Sequence, residues 1–126
     1  MNKVLLFFIV LAFILAVDFL FLTIIMKKFY DTQLKPFSRI LRLWAGLIAW
    51  ALIALGTVIL VVPFADKLST AAVYGAIFGL VLYGVYDFTN FAILKDYKLA
   101  ITLVDCAWGT FLCTLASVFA FFIKAL

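Results

Sequence analysis

From Val4 to Met26 the chain reads VLLFFIVLAFILAVDFLFLTIIM, an apolar run with a single charge, Asp18. A run of about 20 apolar residues is long enough to cross the hydrocarbon of a bilayer as a helix, which satisfies its own backbone hydrogen bonds as it goes. Three more follow: Leu43 to Phe64, Ala71 to Leu94 and Leu99 to Ile123. Four such runs with short connections predict an all-α integral membrane protein, a four-helix bundle of two transmembrane hairpins, with residues 1–126 forming one transmembrane domain. Composition adds that the alternative fails: only 13% of residues are charged, against about 25% in soluble domains, too few to coat a water-soluble globule. The opening segment is similar to a secretory signal, yet its apolar run is too long and offers no small-x-small cleavage pattern, so it reads as a retained first span. Pro63 should end the second helix, and Ser69 or Thr70 should cap the third.

The charges lie between the runs. Lys27, Lys28, Lys35, Arg39, Arg42, Lys95 and Lys98 fall on one side of the predicted membrane, and Lys3, Lys67 and Lys124 on the other. The excess of basic residues in the first set predicts that both basic loops, including residues 27–42, are cytoplasmic and that both termini are outside. Within the first loop Lys35, Arg39 and Arg42 pattern as one stripe of a short interfacial helix, with Leu34, Phe37 and Leu41 as the other. Lys27, Lys28, Lys35, Arg39 and Arg42 are therefore the expected contacts to lipid headgroups. The net charge of +4 does not argue for nucleic acid, because membrane lipid is the natural partner of basic residues placed between apolar spans.

Three aspartates break the apolar runs. Asp18 lies shortly before Lys27, Asp87 shortly before Lys95 and Asp105 shortly after Lys98, so at 1.5 Å per residue all three sit about 10 to 14 Å below the cytoplasmic boundary. Each costs roughly 2.5 to 3.5 kcal/mol near mid-bilayer, and no Lys, Arg or His lies inside a span to pair with it. Helical periodicity places Gly75, Gly79, Tyr83, Tyr86, Asp87 and Asn90 on one face of the third span, and Thr102, Asp105, Cys106, Gly109, Thr110, Cys113 and Ser117 on one face of the fourth. Gly75 and Gly79 form a small-xxx-small motif suited to close helix packing. Asp87 and Asn90 are thus expected to face Asp105 and Thr102 across a tight hairpin, with Asp18 approaching from the first span. Tyr83 and Trp108, near the same depth, are candidate ligand contacts or packing anchors. Interhelical hydrogen bonding alone is the competing use of these polar residues.

The chain contains no His and no Glu, which removes a Ser-His triad, a histidine zinc site and histidine proton relays. No glycine-rich phosphate loop is present, and no cofactor or metal is expected. Cys106 and Cys113 are about 10 Å apart along one helix, too far for a disulfide.

The stretch YGAIFGLVLYGVYDFTNFAILKDYKLAITLVDCAWGTFL, Tyr74 to Leu112, resembles the four-span bacterial membrane proteins grouped as domain of unknown function 2177, through YDFTN, the LK turn and TLVDCAWGT. The first half is similar more loosely, through Asp18 and the exit KKFYDTQL; Phe19 to Phe21 stand where that family carries a Trp soon after the first Asp. The resemblance implies a four-span fold in the bacterial inner (cytoplasmic) membrane and no particular activity. An internal likeness also joins the hairpins, VDFL with YDFT and LWAG with AWGT, as a duplication would leave it. From the residues, the leading expectation is a non-enzymatic membrane protein whose Asp/Asn pocket binds a cation, a proton or a lipid headgroup, in a small transporter acting as a homodimer. The alternatives are a lipid-modifying membrane enzyme with paired aspartates and an accessory subunit of a membrane complex.

Overall fold

The computed structural model describes residues 1–126 and is all-helical. Helix α1 (Lys3–Leu20) begins at Asn2, whose side-chain Oδ1 accepts from the backbone N–H groups of Val4 at 2.6 Å and Leu5 at 3.4 Å, filling two of the otherwise unpaired donors of a helix start. It runs on through a wide π-helical turn, Phe21–Ile25, where the Met26 N–H reaches back to the Phe21 carbonyl. The Thr23 hydroxyl donates to the Phe19 carbonyl at 2.6 Å, a local competitor to the regular ladder. A short helix, α2 (Lys27–Leu34), follows. The second span is α3 (Leu43–Gly56), a π-helical turn at Thr57–Val61 and a tight turn at Val62–Phe64. Pro63 accounts for this ending, since it has no N–H and its ring excludes a helical carbonyl four residues back. Helices α4 (Leu68–Ile93) and α5 (Leu99–Ile123) complete the bundle.

All four helical segments are long and apolar enough to cross a membrane, with bounds Lys3–Ile25, Leu43–Phe64, Leu68–Ile93 and Leu99–Ile123. The amino group of Met1 donates to the Lys124 carbonyl at 3.0 Å, so the start of the first span and the end of the fourth share one end of the bundle. Helix α5 is its axis. Leu6, Val10 and Ile14, one turn apart on α1, meet Ala54, Val58 and Val62 of the second span and Leu112, Ala116 and Ala120 of α5 in one buried cluster.

Helices α4 and α5 pack most closely, as the glycine motif predicts. A side-chain carbon built at Gly75 would run into Ser117 and the Cys113 carbonyl, and one at Gly79 into the Gly109 carbonyl and Cys113. Gly109 in turn lies beneath the Tyr83 ring. Small residues let two backbones touch where lipid offers no hydrophobic incentive for larger ones to do so. The opposite face of α5, with Leu103, Phe111 and Phe122, stays exposed for lipid.

Two local expectations are corrected. The third helix starts at Leu68 rather than Ala71, and neither Ser69 nor Thr70 caps it: the Thr70 hydroxyl donates to the Asp66 carboxylate at 2.7 Å. The interfacial helix is α2, Lys27–Leu34, and not the following stretch that carries Lys35, Arg39 and Arg42. Lys35 still has helical backbone angles, but Pro36 has no N–H to donate to the helix, so the chain leaves the helix after Lys35 and the basic stripe never forms as a helical face.

Candidate functional site

The three aspartates of the spans do gather at the α2 end of the bundle, Asp18 and Asp87 buried and Asp105 half-buried, but each is met by aromatic donors rather than by a neighbouring span's amide or hydroxyl. Asp18, buried on the same stripe as Val10 and Ile14, accepts from two indoles: Trp50 Nε1 on Oδ2 at 2.7 Å and Trp108 Nε1 on Oδ1 at 2.8 Å. The Trp108 ring is held for this by a parallel stack on Phe21, with centroids 3.7 Å apart. Asp18 therefore ties the first span to the second and the fourth, with one strong hydrogen bond on each carboxylate oxygen.

Asp87 is completely buried. Its Oδ1 accepts from the Tyr97 hydroxyl at 2.5 Å, and the Cys106 thiol points at its Oδ2 from 3.8 Å while also facing the Tyr83 carbonyl. Asp105 adjoins Asp87 across the hairpin and accepts from the Tyr30 hydroxyl at 2.7 Å. The face-to-face placement of Asp87 and Asp105 expected from periodicity is realised.

Tyr97 belongs to the short turn between α4 and α5, and Tyr30 to α2. With Ile101 they form a second small core, packed on by Phe21, Leu22, Met26, Phe29, Leu34 and Phe37. Helix α2 thus lies across the loop-side end of the carboxyl pair. Burial, and then the charge of Asp105, holds the Tyr30 phenol well above its ordinary range; burial and the hydrogen bond to Asp87 do the same for Tyr97. Both stay neutral O–H donors at any physiological pH.

The remaining candidates divide. Asn90 approaches the Tyr97 hydroxyl and so stands behind the donor to Asp87. Thr102 is buried, but its hydroxyl donates to the Lys98 carbonyl of its own helix at 2.9 Å and makes no hydrogen bond to the carboxyls, because a threonine in a helix finds the carbonyl four residues back before any partner across the interface. Tyr83 packs its ring on Gly109 and offers only its carbonyl to Cys106, a packing role. In the basic loop Lys27 and Arg39 are tied to Asp31, at 2.5 and 3.5 Å, whereas Lys28, Lys35 and Arg42 form no ion pair. The Lys27 ammonium, followed by the Arg39 guanidinium, holds the Asp31 carboxyl below its usual range.

Sequence reasoning missed Tyr30, Trp50 and Tyr97, and put Cys106 on the right face of the fourth span without making it a neighbour of Asp87. A signal existed for Tyr97, which is only 10 positions from Asp87 in the turn that must pass over it. None existed for Tyr30, which is 75 positions from Asp105. The internal likeness of the hairpins does not carry over to these contacts: Trp44 of LWAG is 66% exposed, and Trp50 supplies the indole instead.

Four apolar helices, closed around buried carboxyls at one end, define a small multi-span helical-bundle membrane protein. The chain belongs to the family described as predicted membrane protein, DUF2177, whose model matches residues 3–122. Comparison with curated proteins and with solved structures finds no match.

Proposed function

We propose that the protein is a small membrane transport protein whose working element is the Asp87–Asp105 pair acting as a proton-binding site, reached from the loop side past Tyr30 and Tyr97. The observation that carries this reading is the adjacency of two carboxyls inside the bundle, one of them fully buried, with no basic residue at their end of any span to neutralise them. Two carboxyl groups in contact hold one proton between them readily, whereas a hard divalent cation requires about six oxygen ligands. No group of three acidic or thiol side chains converges closely enough to hold a metal ion. Ionisable groups at this depth commonly mark ion and proton pathways. The hydroxyls of Tyr97 and Tyr30 rotate, so they can pass hydrogen bonds to the pair in a way that the fixed indoles around Asp18 do not. The excess of Lys and Arg in the loops that border the site supports a cytoplasmic entrance, with the termini outside.

In proteoliposomes with a trapped pH indicator and an imposed proton gradient, the wild-type protein is expected to dissipate the gradient faster than protein-free vesicles. Asp87→Asn and Asp105→Asn should each return the rate to the protein-free value while eluting as assembled protein. Tyr97→Phe, which keeps the ring and removes the donor, should slow the flux about tenfold, the effect of one hydrogen bond of roughly 1.4 kcal/mol. Wild-type rates in both aspartate variants would overturn the reading. Orientation is checked separately: a cysteine placed at Lys35 in a Cys106→Ala/Cys113→Ala background should react with an impermeant maleimide only when the cytoplasmic face is opened, and labelling of intact cells would invert the assignment.

A further inference from the structure

The loop joining the first and second spans encloses a basin of about 580 Å3, lined by Asp31, Lys35, Phe37, Arg39, Ile40 and Leu41. Its two halves differ in chemistry. On one side Asp31 anchors the Arg39 guanidinium at 3.5 Å and is itself occupied by the Lys27 ammonium at 2.5 Å, while Lys35 has no ion pair. A guanidinium carries five N–H donors, so one contact to a carboxylate fixes its orientation and leaves the rest of its edge free. On the other side Ile40 and Leu41 project 74% and 85% exposed, followed by Leu43 and Trp44 at 57% and 66%. Side chains of this kind at the edge of a transmembrane helix belong in the acyl layer.

We propose that this basin binds one anionic phospholipid, its phosphate held between Lys35 and Arg39 and its glycerol end and upper acyl chain laid along Ile40 and Leu41. The assignment rests on charge and on the apolar wall, and is independent of the reading of the carboxyl pair. Residues 27–42 carry five basic side chains and one acid, a net charge of +4, which favours a headgroup of net negative charge over a zwitterion. The ammonium of a zwitterionic headgroup would find the one carboxylate, Asp31, already taken by Lys27. A soluble phosphate could use the same two cations, but it would leave Ile40 and Leu41 without a partner.

The test is native mass spectrometry of the purified protein in mild detergent with added phosphatidylglycerol or phosphatidylethanolamine of identical acyl chains. We expect one phosphatidylglycerol retained, at least tenfold over phosphatidylethanolamine. Lys35→Ala/Arg39→Ala should weaken that retention about thirtyfold, since each basic residue near a headgroup contributes roughly fivefold, and Lys67→Ala/Lys124→Ala at the other end of the bundle should not change it. Ile40→Asn/Leu41→Asn keeps every charge and should also lose the lipid. Equal retention of the two lipids, or wild-type retention in Lys35→Ala/Arg39→Ala, would overturn the site. Glycerophosphoglycerol or inorganic phosphate bound as tightly as the lipid would show a soluble-anion site and overturn the lipid assignment.

Discussion

Gly79→Val is expected to part the third and fourth spans and to cost at least about 3 kcal/mol of stability, at the upper end of overpacking penalties. The added carbons would meet the Gly109 carbonyl and the Cys113 side chain, and a helix carbonyl cannot rotate aside as a side-chain tip can. Moving α4 outward is the remaining relief, which would also draw Asp87 away from Asp105. Gly84 is the control on the same helix: a side-chain carbon there meets nothing nearer than Leu80 at 4.0 Å. Gly84→Ala should therefore be neutral or stabilise by up to about 1 kcal/mol, the ordinary gain of alanine over glycine in a helix. Unfolding by titration of a denaturing detergent into mild-detergent micelles measures both. Equal stability of Gly79→Val and wild type would mean that the two helices are not in backbone contact.

Asp18→Asn should produce the reverse of Asp87→Asn. Asp18 receives one indole N–H on each oxygen, and an amide can accept only one of them while turning an NH2 group toward the other. Interhelical hydrogen bonds in membranes contribute about 0.6 to 1.7 kcal/mol each, so the variant should lose roughly 2 kcal/mol and keep its proton flux. Trp50→Phe and Trp108→Phe should each lose about 1 kcal/mol; combined with Asp18→Asn, the change at the indole that meets the amide NH2 should add nothing further, since its acceptor has already gone, while the change at the other still costs its remaining bond. Asp87→Asn should instead leave stability nearly unchanged and abolish flux. An assembled Asp18→Asn protein without flux would place Asp18 in the pathway and remove the distinction between lock and site.

The regularities of one helix were legible without the fold. Length and hydropathy fixed the four spans, because a bilayer of given thickness demands a given number of apolar residues. Four of their eight boundaries agree with the structure to the residue, three more fall one position away, and the beginning of the third span is off by three. The period of 3.6 residues put Gly75, Gly79 and Asp87 on one face and Asp105, Cys106 and Gly109 on another, and two such faces rich in small residues had to pack together. Periodicity did not say what Asp18 packs against.

What the sequence alone determined is the membrane, the four crossings, the closeness of α4 and α5 and the presence of acids at one depth, all consequences of spacing along a single regular helix. What only the tertiary structure decided is how each acid is satisfied. The donors Trp50 and Tyr30 lie 32 and 75 positions from the carboxylates they serve, and α2 reaches the carboxyl pair only because a wide turn at Phe21–Ile25 and the break at Pro36 fold it back over the bundle end. Such contacts depend on how separate helices are rotated and how loops return, and no pattern confined to one segment carries that information.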